Sequence, residues 1–588
     1  MLAAWVVCFA LAVPASDDPL SPADLDMIQD LLSTTSTVPW PAPDATLRPI
    51  PSARSTELLA RTFRQTHDVT PISSVGPFGT LELRTEHVEG FFVEPLAGGW
   101  LDLPPEVLGP AVLTRGGALS RADLDGIELF GFGSGAERVP GHRLEAFVSA
   151  RTADRNTRGG VRASLAKGPW SISAAGSGEG GSDLTIASAP NGDPQVGVDA
   201  QPFLRARGAG LVSAGYRPRG TPLELRLVGA VDGRSDDPDR PGPRDVIRGL
   251  GGIHLQAGSD PTASVSTVSG NSMGSGLALR ASYQAARFEH VDTATITVAN
   301  RATVVQAVGR LALSSAVALH TQILFTEGEV ETRTPEPSPR RQDVDRLEGL
   351  AGVEWSHGLV SGRVLAGASR HGFGGQSVTG WTGKANLRFG RRLFFEAAGA
   401  RGIDGLGAVP SPRGFATSPR ASARGSGTLG LSGERGFLRL AAGALYLEPE
   451  GEAGETTWYA RSEGALELVR DVRLLGAFGG VGRFQRLTQL PLSRDLELSG
   501  FFARGSARWD PNGGTMEVHV SGRAGTPNND FDFLSVGAAA ALDVGAGFWL
   551  RVSIENAADT ALPPELFRGQ GFRPGIDIRA AVSWIPDF

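Results

Sequence analysis

The chain has 588 residues, of which 79 are glycine and only one is cysteine. Glycine at almost twice its average usage is unusual for a string of ordinary globular domains, so one continuous architecture is considered first. The formal net charge is -7, and Lys167 and Lys384 are the only lysines. A general basic surface is therefore excluded, and no nucleic-acid partner is expected.

The first 15 residues predict an export signal. Residues 2–13 form an apolar run that is too short to span a bilayer, and the small residues up to Ala15 suit a signal peptidase. No lysine or arginine precedes the run, which departs from the usual pattern. We expect cleavage after Ala15, with a retained anchor or a misplaced start as the alternative. Because Cys8 lies inside the signal, the mature chain is expected to lack disulfides and thiol chemistry.

From residue 141 onward, apolar residues recur at every second position. Leu223, Leu225 and Leu227 alternate with Glu224 and Arg226, and similar stretches continue to residue 585. No run of 18 apolar residues follows the signal, but a transmembrane β-strand needs only this alternation. The pattern predicts a mostly β fold: an antiparallel transmembrane barrel of about 22 strands, within a range of about 18 to 24.

The connections between these strands supply a second signal. Short breaks take turns with long polar ones, as expected for tight periplasmic turns and longer outward loops. The break at 259–274 is long where a short one is expected, and residues 293–298 could count as an extra strand. A barrel of this size encloses a lumen that needs a plug or forms a pore. The short breaks are 167–168, 218–220, 357–358, 390–391, 434–435, 470–471, 510–513 and 544–545, and the long ones are 179–200, 234–245, 328–345, 402–421, 484–494 and 556–574.

The residues between the signal and the barrel have a different pattern. Residues 16–50 are interpreted as a periplasmic segment and linker, with one short amphipathic helix at 24–32. Residues 51–140 are predicted to form a small α/β plug-like domain, with a helix at 55–63 and short strands near Leu83, Phe91, Leu113 and Ile127. The barrel would then occupy residues 141–588.

This order of segments resembles the TonB-dependent outer-membrane receptors. Residues 46–61 (TLRPIPSARSTELLAR) look like the family's first plug strand and helix, residues 101–117 (LDLPPEVLGPAVLTRGG) are similar to a later plug stretch, and residues 130–135 (FGFGSG) are similar to the run before the first barrel strand. The family's usual Pro-Gly-Val is replaced here by His67-Asp68-Val69.

The C-terminal end carries the strongest matches to this family. Asn556, Pro574 and Gly575 match its penultimate-strand Asn and the Pro-Gly before its last strand, and Val582, Trp584 and Phe588 resemble its barrel-insertion signal. The resemblance implies a cell outer membrane location in a Gram-negative-type bacterium, with outer-membrane lipid and the barrel-assembly machinery as partners. It also implies a receptor-transporter that takes up a scarce small-molecule ligand of unknown identity, such as a metal chelate, a vitamin or a glycan. Once this ligand is bound, a TonB-type periplasmic protein would pull near residues 16–38 and release the plug. An uncoupled pore or surface-structural barrel is the alternative.

Enzyme motifs were weighed against this interpretation. Neither lysine sits in a phosphate-binding loop, and no His-Glu-x-x-His is present. Residues 176–181 match G-x-G-x-x-G, but no helix is expected after them, so an outward loop is the preferred interpretation. Residues 270–274 match a serine-hydrolase elbow around Ser272, which makes an outer-membrane hydrolase the third hypothesis. An alternating strand follows them where this motif needs a helix, so a connection without catalytic function is the preferred interpretation. We expect no catalytic residues and no cofactor.

Two charged loops complete the candidates. Asp236, Asp237 and Asp239 cluster in the loop at 234–245 and are weak candidates for a cation site, with a solvated acidic loop as the alternative. Arg340 and Arg341 lie in the predicted loop at 328–345 and could meet lipid phosphates or an anionic ligand.

Overall fold

The protein is described from a computed structural model. The structure describes residues 85–94, 107–115, 125–131, 141–151, 157–181, 204–236, 242–259, 261, 274–291, 295–333, 340–390, 392–405, 419–433, 436–447, 455–469, 472–482, 500–509, 514–524, 533–555 and 576–585. The helices predicted at 24–32 and 55–63 lie outside these residues. Within the described part, no helix is long and apolar enough to cross a membrane.

The N-terminal described residues form a small four-stranded sheet, which we call the plug-like sheet. Its strand order is β2-β1-β4-β3, with β1 parallel to β4 and the other two pairings antiparallel. The short strands predicted near Phe91, Leu113 and Ile127 fall in it. The strands are β1 (Thr85–Val88), β2 (Phe91–Phe92), β3 (Leu108–Arg115) and β4 (Asp125–Gly131).

A closed antiparallel barrel follows, which confirms the predicted mostly β fold. Its 22 strands pair in chain order, and the last strand closes on the first through Trp584 opposite Ala146. The strands are β5 (Gly141–Arg151), β6 (Thr157–Lys167), β7 (Trp170–Gly180), β8 (Leu204–Tyr216), β9 (Leu223–Asp236), β10 (Gly242–Gly258), β11 (Gly276–Val291), β12 (Thr295–Ala312), β13 (Val317–Arg333), β14 (Arg340–His357), β15 (Val360–Phe373), β16 (Gln376–Gly390), β17 (Leu393–Gly405), β18 (Pro419–Gly433), β19 (Gly436–Leu447), β20 (Glu455–Val469), β21 (Val472–Gly482), β22 (Gly500–Trp509), β23 (Gly514–Ala524), β24 (Phe533–Gly545), β25 (Phe548–Glu555) and β26 (Asp577–Trp584).

The alternation in sequence becomes two faces with opposite character. Leu223, Leu225 and Leu227 point outward and are 38–52% exposed, whereas the inward-facing Arg248 and Gln284 are buried. A closed barrel satisfies all its backbone groups and can therefore present apolar side chains to lipid. The exposed apolar face is the face of a membrane-spanning barrel, and the buried polar face lines its interior.

Two of the predicted long loops are wrong. The segment 234–245 is mostly strand, because β9 continues to Asp236 and β10 begins at Gly242; likewise β13 and β14 fill all but six residues of 328–345. In 328–345 outward residues such as Glu329 and Glu331 are charged, as in a loop, but inward residues such as Val330 and Val344 are buried. These strands therefore continue beyond the apolar band. Residues 293–298 form no separate strand, since β12 runs unbroken from Thr295.

Candidate functional site

The candidate site is the contact between the plug-like sheet and the inner barrel wall. Residues 85–94, which we call the docking hairpin, comprise β1, a two-residue turn and β2. The turn residues Glu89 and Gly90 both have positive φ, 54° and 85°. Such a turn favours Gly, Asn or Asp, so a glutamate there is held in a sparsely populated conformation. Glu89 is fully buried, which indicates that its contacts with the wall offset this strain.

Two ion pairs join the docking hairpin to the inner wall, one at its turn and one just after β2. The Glu89 carboxylate accepts a hydrogen bond of 3.0 Å from Arg226 of β9. Farther along, Glu94 lies 3.4 Å from the guanidinium of Arg346 on β14. All four side chains are at most 15% exposed. Removing one partner of such a buried pair is costly, because the remaining charge has lost its compensation.

Glutamine side chains bind the backbone between these ion pairs. Gln284 of β11 donates to the Phe92 carbonyl at 2.6 Å and accepts from the Glu94 amide at 2.9 Å. Gln306 of β12 accepts from the Phe92 amide at 3.2 Å. A carboxamide with one donor and one acceptor can replace the edge of a neighbouring strand. The inner wall therefore binds the backbone of Phe92 and Glu94 through side chains.

The aromatic residues of β2 fit into the wall between these polar contacts. Phe92 packs with Val304 and Leu324, and its ring lies 5.8 Å from the Arg346 guanidinium carbon. Phe91 lies over Gly252 of β10: a Cβ added at that glycine would come within 2.5 Å of the Phe91 ring. The glycine supplies the space that this ring occupies.

This fit leads to a prediction at Gly252. Replacing Gly252 with alanine is expected to displace Phe91 and to weaken docking by about 1–2 kcal/mol, as overpacking does. The neighbouring Gly251 has open space around it, so Gly251→Ala is the matched control. Limited proteolysis of the purified barrel is the measurement. Equal cleavage rates near residues 85–94 in both variants would contradict the packing role.

A buried histidine lies on the hairpin itself. His87 of β1 is 6% exposed and stacks edge-on against Phe92, with ring centroids 6.0 Å apart. Burial, together with the positive charges of Arg280 and Lys384, lowers the pKa of His87 to about 3. No hydrogen-bond partner of its Nε2 atom lies among the described residues. The ring is therefore neutral while the hairpin is docked.

A chain of alternating charges crosses the inner wall beside the plug-like sheet. Asp232 of β9 binds Arg207 of β8 at 2.8 Å and Arg248 of β10 at 2.7 Å. Arg158 of β6 and Glu179 of β7 form the next pair. Strand β4 of the plug-like sheet contacts the same wall at β7 and β8. Because these charges neutralise one another across adjacent strands, they stiffen the wall on which the sheet rests.

The long connection at 259–274 is confirmed, and its two ends bind the interior of the barrel. The buried Pro261 carbonyl lies 3.1 Å from Nε2 of His320, and the Gly274 carbonyl accepts from Arg310 at 3.0 Å. Arg310 in turn lies 3.9 Å from Glu354. This connection therefore adds a second set of polar contacts to the inner wall, at the end that carries the short turns.

Only some of the predicted charged candidates lie among the described residues. Asp236 is the last residue of β9, while Asp237 and Asp239 lie outside the described residues, as does Ser272. Among the described residues, no group of three metal-binding side chains could hold an ion. Arg340 and Arg341 are not in a loop but begin β14, and Arg341 pairs with Glu331 at 3.2 Å.

Two further expectations concern strand positions. The segment 176–181 is not a loop, because β7 continues to Gly180. Val582 and Trp584 lie on β26 and are 42% and 40% exposed on its outer face, whereas Asn556, Pro574, Gly575 and Phe588 lie outside the described residues. Their role as an insertion signal stays a prediction. Trp381 lies inside β16.

Comparison with solved structures identifies the architecture. The copper transporter OprC superposes with a TM-score of 0.64 at 11% identity, covering 87% of this chain and 92% of that one. The fold is that of the TonB-dependent receptors. The FrpB iron transporter from Neisseria meningitidis gives 0.64 at 11% identity, with 87% and 92% covered. The Serratia marcescens hemophore receptor HasR, solved with its hemophore HasA and heme, gives 0.66 at 10%, with 90% and 96% covered.

Sequence comparisons add no closer relationship. No protein-family model matches this chain, and no curated protein matches it. The contacts of the docking hairpin could not be found from sequence, because they join residues up to 252 positions apart. The only available signal was the placement of Gln284, Gln306 and Arg346 at inward positions of alternating strands.

Proposed function

We propose that this protein is a gated outer-membrane receptor-transporter. In this proposal residues 1–15 are removed, residues 16–50 lie in the periplasm, residues 51–140 plug the lumen and residues 141–588 form the barrel. The observation that carries it is the docking hairpin, which is buried yet held to the inner wall largely by side-chain hydrogen bonds and ion pairs.

The chemistry of these contacts suits a plug that must move. A hydrogen bond within the protein contributes only about 0.5–1.5 kcal/mol net, because water replaces the partners when the bond breaks. A hydrated lumen could therefore exchange the contacts of Gln284, Arg226 and Arg346 one at a time. A TonB-type partner pulling near residues 16–38 would supply the force, and outward connections would capture the ligand.

The proposed ligand class rests on the solved proteins that share this fold. OprC and FrpB are named copper and iron transporters, and HasR was solved with heme. We propose a scarce ligand of similar need, a metal chelate, a vitamin or a glycan. Growth of a deletion strain under limiting iron, copper, heme, cobalamin and glycans tests this. Growth equal to that of the parent under every limitation would contradict an uptake role for these ligands.

The same barrel could instead be an uncoupled pore or surface-structural protein. Photo-cross-linking from residues 16–38 to a TonB-type protein in cells distinguishes the two, because an uncoupled barrel would give no such product. Conductance in planar bilayers is the complementary measurement. A docked plug predicts a closed barrel, whereas a pore predicts steady conductance without any partner.

Locking the hairpin to the wall is expected to abolish uptake. Glu89→Cys and Arg226→Cys would place two thiols where an ion pair of 3.0 Å stands, and a short bis-methanethiosulfonate would link them through two disulfides, with sulfinate as the leaving group. The mature chain is expected to contain no other thiol, so the linkage is selective. The measurement is uptake of the ligand identified by the growth screen, before and after reductive release of the linker.

The control is a linkage between two barrel residues. Glu354→Cys with Arg363→Cys replaces another wall ion pair of 3.0 Å, on β14 and β15, without touching the hairpin. Uptake should survive this linkage. If the hairpin linkage leaves at least half of the uptake intact, the hairpin does not move during passage and the proposed gate is wrong.

A further inference from the structure

The outer face of β15, β16 and β17 has a sharp boundary between apolar and polar residues. On β16 the outward residues from Phe389, beside the short turn at 390–391, to Trp381 are apolar or small. The next outward residues toward the opposite end of the strand are Thr379 and Ser377, which are polar. The eight residue steps from Trp381 to Phe389 measure about 27 Å along the strand, or about 20 Å of membrane thickness for a strand tilted by about 40°. The boundary lies toward the end of the barrel that carries the long connections.

Two arginines mark the same boundary on the neighbouring strands. Arg370 of β15 lies opposite Thr379, and Arg401 of β17 lies opposite Gly383, two residues from Trp381. The Arg401 guanidinium carbon lies 4.3 Å from the centroid of the Trp381 ring, which is 58% exposed. A guanidinium stacked on an aromatic ring keeps its edge free for hydrogen bonding.

Arg370 and Arg401 differ in the carboxylates that lie near their guanidinium groups. Among the described residues, no carboxylate lies within ion-pair distance of Arg401, and Arg370 has one exposed partner, Asp345, at 3.6 Å. Higher on the barrel, Arg333 and Arg341 share carboxylates of β13. A cation at the edge of the apolar band with no protein anion is stable where the membrane itself supplies one.

We propose that Arg370, Trp381 and Arg401 bind the phosphate of an outer-leaflet lipid. The two guanidiniums would approach the phosphate oxygens from β15 and β17, on either side of β16, through charge-assisted hydrogen bonds. The Trp381 ring lies at the depth where the acyl chains meet the headgroup, a position that suits an indole. The site is on the outside of the barrel and does not depend on the proposed transport function.

Lipid retention by the purified full-length barrel tests this site. The protein would be incubated in detergent with lipid A that carries two phosphates and analysed by native mass spectrometry, with monophosphoryl lipid A and inorganic phosphate as separate arms. We expect Arg370→Gln with Arg401→Gln to reduce the bound bisphosphoryl lipid about tenfold, in keeping with two lost charge-assisted hydrogen bonds. Trp381→Leu should cause a smaller loss, about threefold, because the arginine loses its stacking partner.

The control removes two arginines that already have protein partners. Arg333→Gln with Arg341→Gln makes the same charge change on the same rim and should leave lipid retention unchanged. Equal retention by the Arg370/Arg401 variant and the wild type would overturn the proposal. Displacement of lipid A by millimolar inorganic phosphate would also overturn it, because the site would then recognise a free anion.

Discussion

Replacing Gln284 with leucine is expected to release the docking hairpin from the inner wall. Leucine has a similar size but leaves the Phe92 carbonyl and the Glu94 amide without their side-chain partner. Each buried backbone group left without a hydrogen bond costs about 1–3 kcal/mol, so docking should weaken by about 2–5 kcal/mol. Amide hydrogen exchange resolved to single residues measures this, since the Glu94 amide should exchange far faster in the variant.

A second buried glutamine provides the control. Gln322 of β13 also faces inward and is 5% exposed, but its Oε1 atom accepts no hydrogen bond among the described residues. Gln322→Leu should therefore leave exchange at Phe92 and Glu94 unchanged. If Gln284→Leu protects the Glu94 amide as well as the wild type does, the hairpin is held by its ion pairs and ring packing alone.

Acid is expected to loosen the same hairpin through His87. Burial, Arg280 and Lys384 lower the pKa of His87 to about 3 in the docked state, against an ordinary value of 6.5 in water. Below pH 6.5 the undocked form binds a proton that the docked form does not, so the stabilisation present above pH 6.5 is lost as the pH falls toward 3. The loss is about 1.4 kcal/mol per pH unit, or about 3 kcal/mol at pH 4.

The test compares the wild type with His87→Phe. Phenylalanine keeps a ring against Phe92 but cannot take up a proton, so its docking should not respond to pH between 6.5 and 4 through this position. Conductance of single barrels in planar bilayers at stepped pH reports opening of the lumen. Wild-type openings should become more frequent on acidification and those of the variant should not. An identical pH response of both proteins would show that another group titrates.

The sequence indicated the barrel because strand alternation is a local property. Leu223, Leu225 and Leu227 need lipid on one side and a polar interior on the other, whatever strand lies beside them. The short turns were equally local, as at 357–358 between β14 and β15. The loops predicted at 234–245 and 328–345 were wrong because a polar stretch of sequence resembles a loop when the barrel wall rises above the lipid. The alternating Val330 and Thr332 were the signal for strand there.

The candidate site shows the opposite dependence. Nothing near Glu94 in sequence distinguishes it from other surface carboxylates, and its partner Gln284 lies 190 residues away. Trp381 and Arg401 likewise meet only because adjacent strands bring them into register.

Composition and period two by themselves determined that this chain forms a glycine-rich barrel of antiparallel strands, whereas the export signal at residues 1–15 stays a prediction. Each of those properties depends on how a residue and its near neighbours meet water or lipid. Tertiary structure alone decided which inward arginines and glutamines hold the docking hairpin, since shear and closure of the barrel set which distant side chains meet. It also decided that Gly252 must be small, because the Phe91 ring occupies the space above it.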